Sequence, residues 1–355
     1  MKKIITFPTI GIGNRGGDRV LIELANRLAE DGHLVNYLYP KGMNKTDFPI
    51  CPKVNLLEYG FQIKQIEDLS SFLRLFFLFF SIPKSDIIFA NYYLTAFPVA
   101  FFKIFHPKTM CYYLVQHYEP LAFGFAEKTF PKLKQWLAEK TYTFGFTHIC
   151  VANWIKARVD KLSKKPGYVF SPGINHDSFL INLNEKNQEK ESILIFPGND
   201  EWKGWKDFIQ AIPFILEEFP NIEIIASSKD ESSINHQNIK SIHPKNDEEL
   251  ADLYRAATIY VHPAWWEGCP LAPLEAMACG TPVVAARSEG VMEYANHFEN
   301  CYLVNVKDPL DLSKGIIHLL KDKELQKKIS NNGLATARNY TWDRMYETIK
   351  EVLFL

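Results

Sequence analysis

Residues 261–294 read VHPAWWEGCPLAPLEAMACGTPVVAARSEGVMEY, and the fold of the chain's second half follows from them. The stretch holds an apolar strand end, a turn carrying Glu267-Gly268-Cys269-Pro270, a helix through Glu275-Ala276-Met277-Ala278, a Gly280-Thr281-Pro282 turn and a second apolar strand. Together these make about one α/β unit. Glu267 and Glu275 stand eight positions apart, the first in a glycine-bearing loop and the second in the early turns of the helix. That spacing lets both carboxylates look into one crevice. Gly268, Pro270 and Pro273 open the helix, and the N–H groups of a first turn have no partner within their own helix. Together with the helix dipole they favour an anion, most naturally a phosphate or diphosphate. A carboxylate beside such an anion suits only a neutral part of the same ligand, and sugar hydroxyls donate well to an ionised Glu. The residues point to a sugar nucleotide.

The run EGCPLAPLEAMACGTPVVA over 267–285, with His262-Pro263 before it and Gly290 behind it, resembles the donor-site signature of the retaining family-4 glycosyltransferases. That family has the GT-B fold: two Rossmann-like, doubly wound α/β domains facing each other across a cleft. The resemblance implies that Glu275 holds the nucleotide ribose and Glu267 acts at the donor sugar, and that the backbone of Gly268, Cys269, Pro270 and Leu271 receives the diphosphate. It further implies a diphosphate cation at Lys203, in the Lys203-Gly204 pair, and base contact at Ile242. Asn199 stands where the family has an arginine, so a second cation is expected from Lys206, Arg15 or Arg19. Read without the resemblance, Glu275 is a solvated helix residue and Glu267 a loop acid.

At 355 residues the chain suits two domains of roughly 150 to 180 residues. Its 47% hydrophobic and 23% charged residues are those of a soluble globular protein. Six cysteines without a C-x-x-C spacing read as buried thiols in a reducing compartment, implying neither disulfides nor zinc. Met1–Phe7 is too short for a secretory leader and no apolar run approaches the ~20 residues that span a bilayer, so a cytoplasmic protein is expected. Charge is uneven: residues 1–170 carry a balance of +9 and residues 171–355 one of −10. The basic half favours an anionic membrane surface or acceptor, or holds ordinary solvated lysines. Dispersed Lys and Arg without a stacking platform argue against nucleic acid.

The N-terminal half begins as a doubly wound domain, with an apolar strand over 3–8, the loop Gly11-Ile12-Gly13-Asn14-Arg15-Gly16-Gly17, a helix from Asp18 to Asp31 and a strand over 34–39. Tyr39-Pro40 end the second strand where a dinucleotide fold has an acid, which argues against NAD. In the resembling family a Gly-Gly pair matched by Gly16-Gly17 approaches the donor phosphate and acceptor; as plain structure the pair is a tight strand-to-helix turn. The strand over 110–115 delivers Gln116-His117-Tyr118-Glu119-Pro120 at its C-terminal end, where open α/β sheets bind ligands. His117 resembles the family's strand-end histidine near the transferred sugar, or is a packed or solvent-facing loop residue, and Glu119 is expected to orient an acceptor hydroxyl. The same run is similar to bacterial surface-polysaccharide enzymes.

The phenylalanine-rich helix over 66–82 is expected to be core rather than a membrane anchor. The basic, aromatic segment Glu127 to Tyr142 suits either a plain surface or the inner face of an anionic membrane. Domains are expected over 1–178 and 190–340, joined by a polar linker within 181–191, with a final helix in 341–355 returning to the first domain. The expected activity is retaining transfer of a sugar from a nucleotide-diphosphate donor to a saccharide or lipid-linked acceptor. The resemblance implies His117, Glu267 and Lys203 as the catalytic set. No D-x-D motif occurs, and neither a metal nor a cofactor is expected. The rival readings are a nucleotide-sugar epimerase or phosphorylase on the same fold, and a non-catalytic nucleotide-sugar-binding protein.

Overall fold

The computed structural model describes residues 2–60, 67–126, 130–181, 190–198, 200–227, 234 and 236–354. They form two compact units, one of residues 1–171 with 345–355 and the other of residues 172–344.

The first unit holds strands β1 (Ile4–Pro8), β2 (Leu34–Pro40), β3 (Val54–Tyr59), β4 (Ile87–Ala90), β5 (Met110–Val115), β6 (Thr147–Cys150) and β7 (Tyr168–Val169). All pair in parallel, in the order β3-β2-β1-β4-β5-β6-β7. The second unit repeats the plan with β8 (Ser192–Ile195), β9 (Glu223–Ser227), β10 (Ile239–Ile242), β11 (Ile259–His262), β12 (Val283–Ala286) and β13 (Tyr302–Val304), ordered β10-β9-β8-β11-β12-β13. Parallel strands need helical crossovers, and helices on both faces explain why β4, β8, β11 and β12 are buried at every residue. Strand order reverses between β1 and β4 and again between β8 and β11. Loops leaving neighbouring strands diverge at such a point and leave a crevice at the C-terminal edge of the sheet.

Two expectations are corrected. Residues 172–178, expected with the first domain, group with the second: the Ile174 amide donates to Tyr340 O, and the backbone of Trp342 runs against Gly173. The helix Tyr93–Phe105 is started by the Thr95 hydroxyl, which accepts from the Asn91 and Tyr92 amides, and by the Glu119 carboxylate, which accepts from the Tyr93 amide. The phenylalanine-rich helix Glu67–Ser81 is not all core, since Phe76 and Phe80 are 56% and 68% exposed. Most of the expected linker, residues 182–189, lies outside the described residues. The last helix, Trp342–Leu353, has its Met345–Leu353 part in the first unit, where Tyr346 Oη donates to Asp31 Oδ2 at 2.6 Å.

Candidate functional site

In the second unit the crevice at the strand-order reversal is built from the loops that leave β8 and β11. The first loop ends in a single 3-10 turn, Glu201–Lys203, closed by Gly204 at φ +71°. A Cβ at Gly204 would lie 2.1 Å from Pro263 O, so this position demands glycine both for its left-handed backbone and for the approach of the second loop. The Trp265 amide donates to Trp202 O at 2.7 Å, and the Trp202 and Trp266 rings stack at 5.1 Å. So fastened, the loops bring Lys203 Nζ to 2.6 Å from Glu267 Oε1, with the Glu267 side chain 10% exposed and that of Lys203 35%. An ammonium carries three donors in a compact charge, the chemistry that suits phosphate oxygens.

Behind Glu267 the chain turns at Pro270, which precedes the helix Leu271–Ala278 without a side-chain cap. Leu271 and Ala272 contribute first-turn N–H groups, and Pro273 has none to contribute. The turn is braced by Tyr294 Oη donating to Pro270 O at 3.0 Å and by Gly290, where a Cβ would lie 2.3 Å from Glu267 O. Glu275, on the buried face of the helix, accepts from Tyr254 Oη at 3.2 Å. Both acids of the pair are 7% exposed. Tyr260 feels both: burial first, then the Glu275 and Glu267 carboxylates, hold its phenol well above the usual range.

Sequence reasoning missed the polar groups beneath the acids. Tyr260 Oη lies 3.5 Å from His262 Nδ1, and His262 Nε2 is buried without a partner among the described residues. Burial pushes the His262 imidazole down to about 4; Glu267 opposes the shift and Lys203 adds to it. The imidazole is therefore neutral at pH 7. A signal for Tyr254 existed, since Leu250, Ala251 and Tyr254 share the apolar face of the helix Asp247–Ala256 and place one phenol in the core. Cys269, expected to offer only its backbone, has a thiol that burial pushes well above its usual range. Ile242 ends β10 half-buried against the same core. Asn199 lies outside the described residues.

In the first unit the corresponding reversal brings Gly17 against the end of β5, where Gln116 Nε2 donates to Gly17 O at 3.0 Å. Gly16 starts the helix Gly16–Glu30, and both Gly16 and His117 are exposed at this edge. Glu119 is a correction. Its carboxylate faces the core, accepts from the Tyr93 amide at 3.0 Å and lies 3.3 Å from Tyr113 Oη, and burial pushes it up to about 8. It holds two helix starts together instead of reaching an acceptor. Of the three cations expected to replace the missing arginine, Arg19 is buried and set over the Phe48 ring at 5.1 Å, Arg15 is exposed, and the Lys206 side chain is 74% exposed.

Residues 180–336 match the family Glycosyl transferases group 1. An uncharacterized glycosyltransferase of Methanocaldococcus jannaschii is 28% identical over 211 residues, 58% of each chain, so the match spans little more than half the length of that relative. In structure the chain is similar to sucrose-phosphate synthase from Thermosynechococcus elongatus, with a TM-score of 0.83 at 16% identity over 99% of this chain and 98% of the other. It is similar also to HepE of Anabaena in complex with UDP-glucose, with a TM-score of 0.77 at 16% identity over 99% of each chain. At such identity the structural likeness speaks for the fold. Over residues 180–336 the second unit is similar to the group 1 glycosyl transferases, and the chain has the GT-B fold of the glycosyltransferases it resembles.

Proposed function

We propose that the protein is a retaining, metal-independent glycosyltransferase that moves a sugar from a nucleotide-diphosphate donor to an acceptor hydroxyl. The observation that carries this reading is the Lys203–Glu267 pair, held beside the uncapped start of the helix that bears Glu275. A diphosphate fits the Lys203 ammonium and the N–H groups of Cys269 and Leu271, and Glu275 suits a ribose hydroxyl. HepE, alike in fold, holds UDP-glucose, which favours a nucleotide sugar here too. In the transfer the bond from the anomeric carbon to the diphosphate oxygen breaks and a bond to the acceptor oxygen forms on the same face. The acceptor proton passes to the leaving phosphate, with His117 assisting. Charge grows on the leaving group, so fixed positive groups lower the barrier.

The acceptor in this reading is a saccharide or lipid-linked saccharide of bacterial surface-polysaccharide or glycolipid synthesis, met at the cytoplasmic face of a membrane. A thermal-shift panel of UDP, GDP, dTDP and ADP sugars tests donor binding, since a ligand of the folded state must raise the melting temperature. Transfer from the best donor, followed by NMR of the product's anomeric proton with and without EDTA, tests retention and metal independence. If no nucleotide sugar shifts the melt, the reading fails; inversion at C2 without an acceptor would make the protein an epimerase.

A further inference from the structure

The first unit carries an aromatic surface that its own core does not use. On the helix Glu67–Ser81, Phe76 and Phe80 are 56% and 68% exposed; on the helix Tyr93–Phe105, Phe101, Ile104 and Phe105 are 49%, 69% and 61% exposed. The rings run into one another: Phe76 meets Phe80 at 4.8 Å, Phe80 meets Phe79 at 4.9 Å, Phe79 meets Phe101 at 4.6 Å, and Phe101 meets Phe105 at 5.3 Å. Four half-exposed phenylalanines and an isoleucine make a continuous apolar face on the order of 500 Å². A soluble monomer seldom leaves so much in water without a use for it.

Charge around the face selects the occupant. Between Arg74 and Met110 the chain carries Arg74, Lys84, Lys103 and Lys108 against one acid, Asp86, whose carboxylate accepts from the Ile4 amide at 2.8 Å. Lys84 and Lys108 are exposed. Four cations against one acid make the stretch net positive, and a net positive surface opposes pairing with a second copy, because two-fold symmetry brings the same surface face to face. It suits anionic headgroups, with phenylalanines entering the interface and lysines reaching the phosphates. Among the described residues no helix is long and apolar enough to cross a membrane, so the contact is peripheral.

We propose that the face formed by Phe76, Phe80, Phe101, Ile104 and Phe105 docks the protein on an anionic lipid bilayer. Both helices end at the strands' N-terminal edge, opposite the loops of Gly16-Gly17 and Gln116-His117. Docking there leaves those loops open to water. The proposal deepens the membrane-side role given above, but its test does not pass through transfer activity.

The test is flotation of the full chain with phosphatidylcholine vesicles, with and without phosphatidylglycerol. Wild type is expected to float with the anionic vesicles and to lose binding by roughly tenfold or more without phosphatidylglycerol or in high salt. Phe80→Asp with Phe105→Asp, both at exposed positions, should abolish flotation while leaving the melting temperature and its shift by nucleotide sugars unchanged. Lys84→Glu with Lys108→Glu keeps the rings and should remove the preference for anionic lipid. The proposal is overturned if wild type stays with the soluble fraction or if both double variants float as wild type does. A dimeric wild type that the aspartates make monomeric would overturn it too, since a second copy then covers the face.

Discussion

Lys203 and Glu267 sit 2.6 Å apart, although 64 residues separate them in sequence and each comes from the loop after a different strand. Their meeting depends on the order β8-β11 in the sheet and on Gly204, whose missing side chain lets the two loops touch. The pair half-buries a cation where a diphosphate is expected, and it gives a mostly buried carboxylate a charged partner.

Lys203→Ala should therefore weaken nucleotide-diphosphate binding by about 1–3 kcal/mol, the range for losing a hydrogen bond to a charged group. Lys203→Arg should restore only part of it, because a planar fork does not reproduce a point charge of three donors. Calorimetric titration with the best-binding nucleotide diphosphate checks both; an unchanged Kd in Lys203→Ala would remove the lysine from the site.

Much of this was legible in sequence because both acids, the helix start and the lysine are local features with local reasons. The doubly wound, parallel character of the sheets was legible through the alternation of apolar strands and helical crossovers. What lay beyond reach depended on partners distant in the chain. Glu119 sits in a strand-end run that invites a ligand role, but whether its carboxylate turns outward or in toward Tyr93 and Tyr113 is decided by packing. The phenylalanines of Glu67–Ser81 spread around their helix, and the side left in water became visible only with the neighbouring helix Tyr93–Phe105 in place.

Removing the phenol that serves Glu275 should be felt in stability and in binding together. Tyr254→Phe takes away the donor 3.2 Å from Glu275 Oε2 in a buried setting, and about 1–2 kcal/mol of folding stability should go with it. Urea denaturation at neutral pH measures the loss. A severalfold weaker affinity for the nucleotide, seen by titration, is expected alongside because the carboxylate loses a hydrogen bond that fixes its orientation. Identical urea midpoints would mean that the hydrogen bond contributes nothing.

Gly290 tests the backbone rather than a side chain. Its φ is −70°, open to any residue, yet a Cβ there would lie 2.3 Å from Glu267 O and 2.7 Å from Gly268 O. Gly290→Ala must push the loop that carries Glu267, at a cost of about 1–3 kcal/mol for overpacking. The melting temperature should fall and donor binding weaken together. Full binding with a normal melt would show that the loop shifts freely and that Glu267 needs no such bracing.

The buried carboxyl of Glu119 makes the stability of the first unit depend on pH. Burial raises it from 4.5 to about 8, against the hydrogen bonds from Tyr93 and Tyr113 that favour ionisation. In the unfolded chain the group ionises near its ordinary value, so between the two values the folded state holds the extra proton. Its contribution to stability is complete below about pH 4.5, falls as pH rises, and is gone above about pH 8. His148 and His262 run the other way. Burial lowers each from 6.5 to about 4, so their contribution is full above 6.5 and is lost as pH falls through 4. Glu119→Gln keeps an oxygen for the Tyr93 amide and has no proton to lose. Urea midpoints for the variant should therefore decline less than those of wild type between pH 5 and pH 8, with the acid-side loss unchanged. Parallel curves across that alkaline range would show that Glu119 is ionised in the folded protein, and that water or a rearranged Tyr113 reaches it.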